Sequence, residues 1–475
     1  LATFTGDLLV RSLDIGHGLG AADTNTAVGK DALDDSHSGS IRNTAIGYNA
    51  LTALNADAAD YNVAVGSYAG KSLTTGHSNT VVGDNALVTD DGIKNVAVGQ
   101  AALGANCADE NTALGYNALT AFTGSDATAV GSGAADSATI ATQLTAVGKD
   151  AAGSITEGLE STAIGKGALA SVTTGDYNTA VGSHALLSFT GSNATAIGTN
   201  AADVAVSQTN LTAVGMGALG AATSGNNCTA VGKNALGTTV DGAFNTAVGT
   251  GALAADCGND NTAVGSGVLD VFTGSDTTAV GSGAAAYLID GLQNTVVGQN
   301  ALYRATTNDY NTVMGYGAGG HASGLSDSNT YIGHLTGYRR GGGDHNTAVG
   351  RYAMLGSEAA ISCVTHSNTT VEPASAPNAV IAVGQTITGS NVPVGTYVSA
   401  ITGGAGSVTS FQLSQAATTS TTVSFTFAVP TGDHNVAVGS SALAAATTGH
   451  SNVAIGGYTL DAVTTGHSNV AIGYN

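Results

Sequence analysis

The sequence predicts an all-β fold: a β-solenoid of the β-roll or β-helix type, with about 23 coils, a period of about 17 residues and one inserted small β-sandwich or barrel. Three observations predict it. A string related to Asn-Thr-Ala-Val-Gly recurs 23 times, its spacing is 16 to 19 residues apart from one gap of 89, and most apolar side chains are small. The period is too short for a propeller blade or a helical solenoid.

Composition limits both the fold and the partners. The 475 residues include 69 glycines and no Trp, with 43% hydrophobic, 5% aromatic and 9% charged residues. Such a chain is too apolar for disorder and too poor in large side chains for bulky globular cores. A formal charge of −21 with only 12 Lys and Arg argues against a nucleic-acid partner. No apolar run approaches the roughly 18 residues of a membrane span, so we predict no membrane insertion.

Each position of the repeat has a predicted role. The closing glycine supplies a positive φ or a close backbone approach at a corner. The residue before it is apolar in every copy, as in Val28, and we interpret this side chain as pointing into a core. An Ala-Leu pair after the glycine, as in Ala32 and Leu33, is interpreted as a second short strand. The Asn that begins 16 of the units predicts a ladder of hydrogen-bonded side chains from coil to coil.

The column of alanines leaves two alternatives open. The residue two before the glycine is Ala in 19 of 23 copies. Such a column either forms a flat stripe against which copies of the chain pack, or lines a narrow interior. One coil buries too few apolar side chains to offset the conformational entropy of its residues, so a second burial surface is favoured. Cyclic threefold association closes such a stripe, and we predict a homotrimer.

The chain divides into four predicted segments. Residues 1–24 lead into the solenoid, 25–356 and 432–475 are solenoid repeats, and 357–431 form an inserted β domain. The insert holds all four prolines, and its β-branched runs are split by Gly, Asn and Pro, which predicts a small antiparallel sandwich or barrel. The last repeat ends at Gly473 without a polar cap, so we expect the natural chain to continue or to be cut there.

The repeated text carries a resemblance to known proteins. The string NTAVGxxAL…TTGxxN, with the leading GDLLVRSLDIGHGLG…TNTAVG, resembles the repeat region of tail-fibre and appendage proteins of bacteriophages. The N-A-x-G element is also similar to the head repeats of bacterial trimeric autotransporter adhesins, which form trimeric left-handed β-rolls with a shorter repeat. The resemblance implies attachment to a surface. Phage fibres of this kind often carry a self-cleaving C-terminal chaperone, whose removal would explain the uncapped end.

Catalysis and metal binding are disfavoured. A capsule-degrading tailspike uses paired carboxylates and aromatic platforms, whereas this chain has five Glu and no Trp. Asp residues in variable loops are explained by turn formation. We therefore predict no enzyme activity, no catalytic residue, no cofactor and no metal site. A weaker hypothesis is that one loop histidine from each of three chains binds a metal ion on the threefold axis. The loop histidines are His77, His345, His434, His450 and His467.

The candidate receptor-binding residues lie in and beside the insert. Tyr338, Arg339 and Arg340 form the only paired basic spot, and Asn391 and Tyr397 lie in the insert. The leading hypothesis is a phage tail fibre or virion appendage with a receptor-binding role in host attachment. Its expected partners are copies of itself, a host-surface receptor, for which a glycan is the candidate, and other virion proteins. The alternative is a bacterial trimeric adhesin or extracellular filament on the cell surface. Ice binding is disfavoured because the strand Thr is assigned to the inward face.

Overall fold

The computed structural model describes residues 8–10, 13–18, 24–35, 39–57, 59–89, 91–140, 143–320, 327–338, 342–355, 361–365, 370–373, 387–388, 393, 398–404, 407–413, 415, 422–427, 432–444, 446 and 448–474. Two compact units divide the chain, Leu1–Ala243 and Phe244–Asn475. Every regular element in the described residues is a β-strand, and none is a helix. The predicted all-β solenoid with a period of about 17 residues is confirmed.

In the first unit, a hairpin precedes a ladder of short parallel strands. Strands β1 (Leu8–Val10) and β2 (Leu13–Gly16) pair antiparallel, and β2 pairs antiparallel with β3 (Thr26–Val28). Each ladder strand then pairs parallel and in register with the next, so that Thr162 lies beside Thr179. The remaining ladder strands are β4 (Thr44–Ile46), β5 (Val63–Val65), β6 (Thr80–Val82), β7 (Val96–Val98), β8 (Thr112–Leu114), β9 (Thr128–Val130), β10 (Thr145–Val147), β11 (Thr162–Ile164), β12 (Thr179–Val181), β13 (Thr195–Ile197), β14 (Thr212–Val214) and β15 (Thr229–Val231).

The second unit repeats this ladder and carries the insert. Its first strands are β16 (Thr246–Val248), β17 (Thr262–Val264), β18 (Thr278–Val280), β19 (Thr295–Val297), β20 (Thr312–Met314), β21 (Thr330–Ile332) and β22 (Thr347–Val349). The insert follows with β23 (Ile361–Thr365), β24 (Thr370–Pro373), β25 (Ile387–Thr388), β26 (Val398–Gly404), β27 (Ser407–Leu413) and β28 (Thr422–Phe427). These six pair antiparallel in the order β25-β28-β23-β24-β27-β26. Antiparallel strands in the insert were predicted, whereas its closure into a sandwich or barrel stays a prediction.

The ladder of the second unit continues directly across the insert. Its last strands are β29 (Val436–Val438), β30 (Val453–Ile455) and β31 (Val470–Ile472). Strand β22 pairs parallel with β29, and Thr347 lies beside Val436 without a shift of register. The chain therefore leaves the ladder after β22, and β29 takes the position that the strand of the next turn would have taken.

The predicted orientation of the ladder strand is wrong. The alanine in the middle of the strand is buried, as in Ala163, whereas the apolar residue before the glycine faces outward, and Ile164 is 40% exposed. The alanines thus line the interior, and the stripe of alanines expected at the surface is absent from the described turns. Thr shares the outward face with the apolar residue, so the reason given above against ice binding also falls. The other outward residue of each strand is apolar, so the outward face does not carry the two Thr per strand of a T-x-T ladder.

The predicted second strand is also wrong. The residues two and four after the glycine adopt positive φ, as in Asn49 (54°) and Leu51 (50°), which a pleated strand does not do. This alternation lets consecutive side chains, Ala50 and Leu51, both point into the interior. The amides remain paired between turns, because the N–H of Asn49 donates to Lys30 O and that of Leu51 to Ala69 O.

Two predicted roles, those of the glycine and the asparagine, are confirmed. The repeat glycines have φ between +127° and +151°, and a Cβ on Gly165 would lie 2.5 Å from the carbonyl oxygen of Gly182 in the next turn. Asn261 illustrates the asparagine ladder. Its N–H donates to Asn245 Oδ1 at 2.9 Å, and its own Oδ1 accepts from the N–H of Thr277 at 3.0 Å. Its Nδ2 donates to the carbonyl of Gly274 at 3.0 Å.

One turn shows how tightly the interior is filled. Tyr331 replaces the strand alanine and is fully buried. Four residues after the repeat glycine Gly333, where Leu is usual, this turn has Gly337. A Cβ on Gly337 would lie 2.8 Å from the Tyr331 ring. The large and the small residue have exchanged places, so the volume of the interior is conserved.

Reversing this exchange tests the packing. Tyr331→Ala should lower the free energy of unfolding by about 3–5 kcal/mol because it leaves a cavity. Gly337→Leu alone should also destabilise, because the leucine meets the ring. The double variant recreates the usual Ala and Leu and should recover most of the loss in denaturant unfolding. Additive losses in the double variant would contradict this account.

The asparagine ladder gives a second test. Asn261→Ala leaves the Thr277 N–H and the Gly274 carbonyl without these partners, so stability should fall by about 2–4 kcal/mol. The control is Thr250→Ala, an exposed position directly after the repeat glycine Gly249, for which a change within about 0.5 kcal/mol is expected. The midpoint of thermal unfolding measures both. Equal shifts would show that the ladder contributes no specific stability.

Candidate functional site

One of the five predicted receptor-binding residues lies in the described structure. Tyr338 is half-buried, and its ring edge lies 3.7 Å from the place that a Cβ on Gly317 would occupy in the preceding turn. Arg339, Arg340, Asn391 and Tyr397 lie outside the described residues. The grouping of the five residues into one site therefore stays a prediction, and so does the insert's part in it.

A different surface emerges when the turns are aligned on their glycines. We call the two residues after each repeat glycine the corner stripe, and each unit has its own. The first of the two residues is exposed or half-buried in every turn. The second often has positive φ, as in Tyr68 (59°) and Tyr352 (59°), and is seldom buried. The backbone thus presents two side chains per turn at the same outer corner.

Tyrosines and cations collect in the corner stripe. It holds seven of the 15 tyrosines and five of the 12 Lys and Arg, but only three of the 33 Asp and Glu. The tyrosines are Tyr48, Tyr68, Tyr116, Tyr316, Tyr352, Tyr458 and Tyr474, and the cations are Lys30, Lys149, Lys166, Lys233 and Arg351. The sequence interpretation missed this surface because it assigned no role to the two residues between the glycine and the Ala-Leu pair. A count of residue types at each repeat position would have found it.

In the first unit, rings and ammonium groups of the stripe are in contact. The rings of Tyr48 and Tyr68 meet edge to face with centroids 5.3 Å apart. Lys30 Nζ lies 5.8 Å from the Tyr48 centroid, and Lys71, which adjoins the stripe, lies 4.9 Å from that of Tyr68. Partial desolvation and then the Tyr48 phenol raise the pKa of Tyr68 above its ordinary value. Tyr68 therefore stays a neutral hydrogen-bonding group across the physiological pH range.

The second unit has a similar cluster. Tyr316 stacks on His334 with centroids 5.4 Å apart, and Tyr316 is 50% exposed. His334 meets Tyr352 edge to face at 5.5 Å. The Arg351 guanidinium lies 4.5 Å from the Tyr352 centroid and donates to its hydroxyl at 3.0 Å. No carboxylate occurs among residues 315–320, 331–338 and 347–355, so this face of the three turns is free of acidic side chains.

Four of the loop histidines form two stacked pairs. His345 and His434 stack with centroids 5.0 Å apart, and His450 and His467 with centroids 4.9 Å apart. In the part of the chain that the structure describes, no group of three or more His, Cys, Asp and Glu side chains is placed to hold a metal ion. The corner stripe offers ring faces, hydrogen-bond donors and cationic groups, all of which can contact a ligand.

Comparison with known proteins adds no relative. No protein-family model, no curated protein and no solved structure matches the chain. The described residues include no helix that is long and apolar enough to cross a membrane.

Proposed function

We propose that the chain is a structural fibre that mediates attachment to a surface, as a phage tail fibre or virion appendage with a receptor-binding role. The observation that carries this proposal is that the interior and the outer positions of each turn differ in the residues they hold. Alanine, leucine and asparagine occupy the interior positions, as in Ala163, Leu169 and Asn178, and these serve packing and the ladder. Chemically varied side chains occupy the outer corners. Such an arrangement suits a scaffold that displays a surface.

The fibre is a homotrimer in this proposal, packed through the outward face of the ladder strands. This face carries a column of exposed apolar side chains beside the column of Thr. In the first unit the column includes Ile46, Val82, Leu114, Ile164 and Ile197, which are 36–46% exposed. A continuous apolar column is costly to leave in water, and threefold closure covers it in all three chains at once. The alanines, which are interior, take no part.

The insert is the main receptor contact in this proposal, with its six strands closing into a small sandwich or barrel. Because β22 pairs directly with β29, the strands of the insert are not needed to continue the ladder. Other virion proteins hold the fibre on the particle. In sequence, Tyr338, Arg339 and Arg340 lie about one turn before the insert.

The mass in solution tests the trimer. Light scattering should give three times the chain mass of 46.0 kDa. Ile164→Lys with Ile197→Lys places two charges in the outward column and should yield folded monomers, because like charges would meet at the threefold interface. Tyr177→Lys, at an exposed loop position outside the ladder strands, should leave the trimer intact. A monomeric wild type would overturn the trimer, and a trimeric double variant would overturn the choice of face.

Attachment is tested with the insert removed. Deletion of residues 358–429 leaves 17 residues from Gly350 to Gly439, which is a normal turn. Fluorescently labelled protein should bind saturably to cells of a bacterial panel. The deletion variant should lose most of this binding while it remains a trimer with an unchanged unfolding midpoint. Equal binding by both proteins would rule out the insert as the main contact. An antibody to the insert that labels cell envelopes instead of virion appendages would identify the bacterial adhesin.

A further inference from the structure

The charge of the corner stripe is opposite to that of the rest of the chain. Outside the stripe, 30 acidic residues face seven Lys and Arg, whereas the stripe has five cations and three acids. The stripe carries a net formal charge of +1 in each unit, whereas the protein as a whole carries −21. An anionic molecule would therefore be repelled less at the stripe than at the acidic remainder of the surface.

Packing within the chain does not account for all of these cations. Lys149 and Lys166 occupy the same stripe position in consecutive turns, following the in-register strands β10 and β11. Both are exposed, and like charges at neighbouring positions of a ladder destabilise it. Lys149 has one nearby carboxylate, Asp150, at 3.7 Å. An anion lying across both turns would attract both ammonium groups and so offset the repulsion between them.

The other stripe residues are suited to polar recognition. Beside tyrosines and cations, the stripe consists mainly of Ser, Thr, Asn, Gln and Gly. Tyr, Ser, Asn and Gly with a few cations is the composition of surfaces that bind through rigid rings and adaptable hydrogen bonds. The exposed members include Tyr48, Tyr116 and Tyr316, which are 41%, 54% and 50% exposed.

We propose that the corner stripe binds an acidic polysaccharide that lies along successive turns. Its sugar rings pack against the tyrosines, and its carboxylates pair with the Lys and Arg of the stripe. The periodicity favours a linear polymer, because the stripe presents equivalent positions about 4.8 Å apart, one set per turn. Each contact is weak, and many contacts along one polymer add up to useful affinity. This surface is additional to the insert, and it rests on the proposed attachment function only for its biological role.

Affinity electrophoresis through gels that contain a polymer tests the proposal on the full-length protein. Polygalacturonate, a carboxylated polysaccharide, should retard the wild type, and raising the salt concentration should weaken the effect. Neutral dextran should not retard it. Polyglutamate, which has carboxylates but no sugar rings, should bind at least several-fold more weakly. No retardation by polygalacturonate, or equal retardation by polyglutamate, would overturn the proposal.

Two variant pairs locate the surface. Lys149→Glu with Lys166→Glu should weaken binding about tenfold, since two attractive contacts become repulsive. Arg42→Glu with Lys94→Glu changes the net charge equally at loop corners outside the stripe and should have less than about a twofold effect. Tyr316→Ala should weaken binding more than Tyr310→Ala, a loop tyrosine of similar exposure. Equal losses within either pair would overturn the assignment to the stripe.

The two functions fail separately. Wild-type protein that attaches to cells but is not retarded by polygalacturonate would remove the stripe proposal and leave the attachment function standing. The variant without residues 358–429 should still be retarded even though it loses most cell attachment. Loss of retardation in this variant would assign the polysaccharide to the insert and overturn the stripe.

Discussion

The close stacking of successive turns governs every other feature of this protein. Backbone hydrogen bonds hold each ladder strand directly over the next, and the repeat glycines pass so close that a Cβ on Gly165 would touch the carbonyl of Gly182. Residues at equivalent positions therefore stand about 4.8 Å apart along each unit. Whatever side chain occurs at a position must tolerate a neighbour of the same kind above and below it. Buried Asn meets this demand by pairing amide oxygens with backbone N–H groups, and Leu and Ala meet it by packing.

The sequence predicts the features for which stacking restricts one position of the repeat to one type of residue. Gly at a corner with positive φ, Asn in a buried ladder and β-strand before the glycine each have one physical explanation that fits all copies. The insert is visible for the same reason, since its prolines cannot belong to the ladder. Strands β23 to β28 are indeed antiparallel, and β29 continues the earlier register.

The sequence does not predict features that depend on what shares the interior. A three-residue strand such as Thr162–Ile164 satisfies the two-residue period with either face inward. In the folded chain, Ala163 rather than Thr162 or Ile164 shares the interior with side chains such as Leu169. The Ala-Leu pair looks like a strand until the alternating φ signs show how two consecutive residues point inward. The corner stripe is invisible in any one repeat, because Lys149 or Tyr316 alone is an ordinary exposed residue. Arg339, Arg340, Asn391 and Tyr397 lie outside the described residues, so the predicted receptor site remains a hypothesis.

The direct pairing of β22 with β29 has a consequence for how such proteins diversify. The strands on either side of the insert stay paired in register, so the inserted segment costs the ladder no strand pairing. Its entropic cost grows only slowly with length, by about 0.6 kcal/mol for each doubling. Any turn with a tolerant loop before its next strand can therefore accept an inserted domain by a single recombination event. A lineage could exchange its binding specificity in this way while its supporting architecture stays unchanged, and a protein engineer could graft a chosen domain at the same junction.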